Sequence, residues 1–103
     1  MARSLHAIEM DFGKANRQAR ELDDVAANLK NLSNVKLEDT LGQISVNWTG
    51  DNSTKYVGKG KTLQGNINTT ASALEEVAQA IRDIAEVIYE AEMAAWERAH
   101  NRD

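Results

Sequence analysis

From Leu63 to Ala95 the apolar residues recur in alternating steps of four and three: Leu63, Ile67, Leu74, Val77, Ile81, Ile84, Ile88, Ala91 and Ala95, with Thr70 as the one polar member. Steps of four and three average one helical turn, so the spacing predicts an amphipathic helix across this half of the chain. At about 100° per residue, Ala73, Ala80, Val87 and Ala94 border the seam on one side, and Ala71, Ala78 and Ala85 border it on the other. Glu75, Glu76, Gln79, Arg82, Asp83, Glu86 and Glu90 make a polar back. The apolar arc is then roughly 180° wide, where ~100° suits a helix covered by one neighbour. A single neighbouring helix leaves part of that arc bare, so a further surface is expected to cover it.

The first half repeats the pattern more weakly, through Leu5, Ile8, Phe12, Ala15, Ala19, Leu22, Ala26 and Leu29, with Val25 and Leu32 beside them. Around Ser33-Asn34 the phase slips, and it resumes as Leu37, Leu41, Ile44 and Trp48. That shift predicts a kink or a local change of pitch rather than a domain boundary. Between the two periodic halves, Asn47-Trp48-Thr49-Gly50-Asp51 supplies a glycine for positive φ, and Asp51, Asn52 and Ser53 supply capping side chains. The expected architecture is all-α: one domain over residues 1–103, with a first helix at about 4–46, a turn at about 47–51 and a second helix at about 52–98. The two helices fold back as an antiparallel hairpin, and the bare arc predicts pairing of two hairpins into a four-helix bundle. Gly58, Gly60 and Gly65 sit early in the second helix, where each costs up to ~1 kcal/mol relative to alanine. They imply either a ragged start near Gly60 or the close approach of another backbone.

Composition narrows the function. The 103 residues include no proline and no cysteine. Long helices are therefore uninterrupted, and disulfides, thiolate metal sites and cysteine nucleophiles are excluded. The formal charge of −4 argues against non-specific binding to nucleic acid or to an anionic membrane surface. Lys55, Lys59 and Lys61 are a local basic exception, read as solvated helix positions. No run approaches the ~20 apolar residues of a membrane span, and Met1-Ala2-Arg3-Ser4 leads into mixed polarity without a signal-peptide core. Export, if it occurs, is expected without a cleavable leader, from a cytoplasmic starting point.

Candidate chemistry is sparse. Gly60-Lys61-Thr62 resembles the end of a phosphate-binding loop, but Lys55 stands where that loop needs a glycine and no strand precedes it. The Asn-x-Ser/Thr matches at Asn31, Asn47, Asn52 and Asn68 matter only in a glycosylating pathway. His6 and His100 read as exposed end residues rather than ligands. Acids lie on polar helical faces with no nucleophile and base paired nearby, so no catalytic, cofactor or metal site is expected. Trp48 has two readings: it closes the hairpin's own core, or it anchors a partner, as tryptophan does at interface hot spots. Trp96 reads as tail packing or a partner contact.

Trp48-Thr49-Gly50 near the midpoint of a chain of about this length, with helices on either side, resembles the WXG (ESAT-like) family of small type VII secretion proteins. Tyr56, an aromatic eight residues after the tryptophan, and Leu74, Val77 and Ile81 on the helix seam add to the likeness, which covers nearly the whole chain. The resemblance implies a helical hairpin that pairs with a second copy or a related small helical protein. It implies export in the folded state through a membrane-bound secretion ATPase, as a substrate, a co-secreted partner or a carrier for a larger toxin or effector, without enzymatic activity. Core and dimer-interface residues are then Phe12, Leu22, Leu29, Leu41, Tyr56, Leu63, Ile67, Leu74, Val77, Ile81, Ile84 and Ile88. The family's C-terminal export signal is a tyrosine with an acid four residues later. Here Tyr89 has Met93 at that spacing and Glu92 one position early, so Tyr89 and Glu92 are the candidate signal. The alternative function is a non-secreted cytoplasmic helical adaptor or chaperone that binds another protein's helix along the same groove.

Overall fold

The computed structural model describes residues 3–48 and 50–101. Helix α1 spans Leu5–Asn31, a π-helical segment spans Leu32–Leu37, α2 spans Glu38–Asn47 and α3 spans Asp51–His100. Among the described residues there is no strand. Proline-free sequence permits these lengths, and the ends carry identifiable stops. The Ser4 hydroxyl accepts a hydrogen bond from the Ala7 amide at 3.1 Å, capping α1. Gly50, at φ +90°, takes the left-handed conformation that ends the bend before α3. Asp51 in the first turn of α3 and Arg98 and His100 in its last turn complement the helix dipole.

The chain forms two compact units, a terminal unit of Met1–Leu22 with Glu76–Asp103 and a bend unit of Asp23–Glu75. In the terminal unit Ile8, Ala19, Ala78 and Ala85 are buried, and Phe12, Ala15, Ile81 and Tyr89 are half-buried around them. In the bend unit Ala26, Ser33, Leu41, Ser53, Gln64 and Ala71 are buried, flanked by half-buried Leu29, Leu37, Ile44, Val57, Ile67 and Leu74. Along α3 the chain therefore uses one border of the wide apolar arc for its own packing, the side of Ala71, Ala78 and Ala85. Alanines on this side match Ala15, Ala19 and Ala26 on α1. Small side chains let helix backbones approach closely, and Ile67, Leu74 and Ile81 are half-buried beside them, while the rest of the seam is left outward. Leu63, Val77, Ile84 and Ile88 are accordingly 48–60% exposed.

The phase slip at Ser33-Asn34 has a structural cause. Inward positions on the first half run Ala26, Leu29, Ser33, Leu37, Leu41 and Ile44, so three steps of four occur in succession where the middle one is due to be a three. The wider turn of the π-helix absorbs the extra residue and returns Leu41 and Ile44 to the inward face. At Gly60 the ragged-start reading is ruled out, because α3 is helical from Asp51 onward. A Cβ at Gly60 would collide with the Leu41 side chain, so what approaches is a side chain and not a backbone. Gly58 and Gly65 face open space and have no comparable packing reason.

Candidate interaction surface

The bend is built on a few polar contacts. The Ile44 carbonyl accepts both the Trp48 amide, at 2.9 Å, and the Ser53 hydroxyl, at 3.4 Å. Ser53 thus ties the end of α2 to the start of α3 instead of capping α3 itself. Trp48 meets Tyr56 edge to face, with ring centroids 6.0 Å apart, a favoured aromatic geometry. Both rings remain 53% exposed, and Val46 at the end of α2 is 80% exposed. Thr49, the middle residue of the tripeptide, lies outside the described residues. Along the π-helix and α2, an open groove of about 820 Å³ is lined by Val35, Gly42 and Val46 together with Lys36, Glu38 and Asp39.

Deeper in the bend unit lies a polar layer that the sequence pattern does not announce. The Ser33 hydroxyl donates to the Gln64 carbonyl at 3.1 Å, and the Gln64 amide donates to the Ser33 carbonyl at 2.8 Å and to Glu38 Oε2 at 2.8 Å. Asn68 Nδ2 donates to Asn34 Oδ1 at 3.0 Å, while Asn68 Oδ1 is buried with no hydrogen-bond partner among the described residues. Such an unmatched acceptor costs about 1–3 kcal/mol. The signal available in the sequence was the phase slip itself, which places Ser33 inward where a helix seam ordinarily carries an apolar residue.

In the terminal unit Phe12 and Tyr89 stack at 4.5 Å with rings inclined by 30°. Arg3 lines the same pocket as this pair, bonding to Asp11 and donating to both carboxylate oxygens of Glu92 at 3.2 Å. Hydrogen bonds to Asp11 and then Glu92 raise the Arg3 pKa above its ordinary value. The candidate signal residues Tyr89 and Glu92 are thus brought together with Phe12 and Arg3. At the end of α3, Trp96 is half-buried and stacks on His100, 4.1 Å apart. His6 is exposed.

Of the residues expected at the core or interface, Leu41 is buried, and Phe12, Leu22, Leu29, Ile67, Leu74 and Ile81 are half-buried. Tyr56, Leu63, Val77, Ile84 and Ile88 are exposed. Val87 and Met10 are further large apolar side chains on the surface of the terminal unit, 67% and 44% exposed. Gly60-Lys61-Thr62 lies inside α3, with the Thr62 hydroxyl bonded to the Gly58 carbonyl, so it is not a phosphate loop. Among the described residues no cluster of three or more His, Asp or Glu could hold a metal ion, and no helix is long and apolar enough to cross a membrane. Comparison with protein-family models, with curated proteins and with solved structures finds no match.

Proposed function

We propose that this chain is a small type VII secretion substrate or co-secreted partner protein, acting through helical association and not through catalysis. In this reading it folds as an antiparallel hairpin, pairs into a four-helix bundle with a second small helical chain, and passes folded through a membrane-bound secretion ATPase. The observation that carries the proposal is the row of large apolar side chains left outward on α3. Val77, Ile84 and Ile88 are at least half exposed although each follows the helical seam. Apolar patches of this kind on a soluble helix mark an interaction surface. The exposed Trp48–Tyr56 pair favours the reading of Trp48 as a partner anchor over that of a cap on the chain's own core.

Export is tested in cells with an active type VII system, by following the wild-type chain and Trp48→Ala in the medium. The proposal expects wild type outside the cell and the variant retained. Retention of both, with the protein soluble and bound to another cytoplasmic chain, would instead support the adaptor reading.

A further inference from the structure

Tyr89 and Glu92 stand three positions apart, about one helical turn, so they share a face of α3. In the terminal unit that face is turned towards α1. Tyr89 is half-buried with its ring stacked on Phe12, and Glu92, also half-buried, accepts hydrogen bonds from Arg3 on both carboxylate oxygens at 3.2 Å. Asp11, the second anchor of Arg3, directly precedes Phe12 on α1. One guanidinium therefore links α1 to α3 beside the aromatic stack, with an attachment close to each ring. These five side chains line a single cavity of about 290 Å³, walled by Ile8, Ala85 and Ile88. Glu86 and Glu90, the neighbouring acids of α3, are exposed, so engagement with the start of the chain is what sets Glu92 apart.

We infer that this strap is an autoinhibitory contact: Arg3 and Phe12 occupy the face of Tyr89 and Glu92 that a receptor would read, and the terminal unit must open there before the pair is available. The inference rests on the export reading given above and adds how the candidate signal is controlled. A face packed on α1 cannot be packed on a receptor at the same time. Apparent affinity for the receptor is then reduced in proportion to the fraction of molecules in which the strap is open. The strap is also able to yield. The Arg3 and Asp11 side chains are 41% and 50% exposed, and exposed ion pairs hold only weakly, so a receptor that binds the open form can draw the population towards it.

The chain has two tyrosines, which supplies an internal control. Tyr56, in the bend unit, is 53% exposed, whereas Tyr89 is half-buried. Nitration with tetranitromethane, followed by peptide mass mapping, should modify Tyr56 faster than Tyr89 in the wild-type chain. Arg3→Gln should raise the rate at Tyr89 roughly two- to fivefold, the range set by loss of one exposed ion pair, and leave the rate at Tyr56 unchanged. Asp11→Asn, which takes from Arg3 the carboxylate that holds it in place, should act in the same direction. In cells with an active type VII system, Arg3→Gln should reach the medium faster than wild type by a similar factor, and Tyr89→Ala should be retained. A Tyr89 rate in Arg3→Gln equal to that of wild type overturns the strap and leaves export to its own test. Faster nitration with unchanged or slower export overturns the masking, because Arg3 then joins two helices without controlling the signal. Retention of wild type together with Arg3→Gln and Asp11→Asn removes the export reading and this inference with it.

Discussion

Ile81 and Ile84 are three positions apart and chemically identical, yet they belong to different surfaces. Ile81 is half-buried with Ala78 and Ala85 in the terminal unit, whereas Ile84 is 60% exposed. An Ile81→Asp substitution places a carboxylate in the chain's own packing and should destabilise folding by about 2–4 kcal/mol, seen as a lower urea midpoint. Ile84→Asp should keep the helical spectrum and lose association. Equal unfolding midpoints for the two isolated variants would contradict the helical phase assigned here. Glu86→Ala, on the polar back, should change neither property by more than about 0.5 kcal/mol. Gln64 is the residue the apolar pattern least anticipates. Gln64→Ala leaves the Ser33 carbonyl and Glu38 without their shared donor and should cost about 1–3 kcal/mol by chemical denaturation. A neutral effect would mean that water replaces the amide freely.

At the scale of elements, the π-helical segment is an insertion made tolerable. Removing one residue between Ser33 and Leu37 would restore the alternation of threes and fours that runs through Ala19, Leu22, Ala26 and Leu29. Val35, 57% exposed, is the one to delete. The variant lacking Val35 should form a continuous α-helix, keep Leu41 and Ile44 inward, and unfold at a midpoint equal to or above that of wild type. A collapse of helicity would show that the wide turn is needed for the Ser33–Gln64 layer. The all-helical character was legible because steps of three and four persist over dozens of residues without proline. The slip at Ser33-Asn34 was legible for the same reason. Which border of the α3 arc faces the rest of the chain was not, because periodicity counts alanine and isoleucine alike. The choice is made by size, and size matters only once a second helix is near. Arg3 with Glu92 was equally hidden, since nothing local links residues 89 positions apart.

For the whole molecule, a formal charge of −4 opposes close approach of copies while the exposed isoleucines, valines and aromatic rings favour association. Association of that kind needs a second molecule. Binding of that molecule to the folded state makes stability depend on concentration, so the thermal midpoint should rise as protein concentration is raised through the micromolar range. A midpoint independent of concentration would mean that folding and association are uncoupled. The most direct measurement is sedimentation equilibrium on the purified chain, with Ile84→Asp run beside it. The expected result is a two-copy mass for wild type and a one-copy mass for a still helical Ile84→Asp. A single-copy mass for wild type across the whole concentration range, both alone and mixed with every small helical partner tried, would contradict the idea that another molecule covers the outward face of α3.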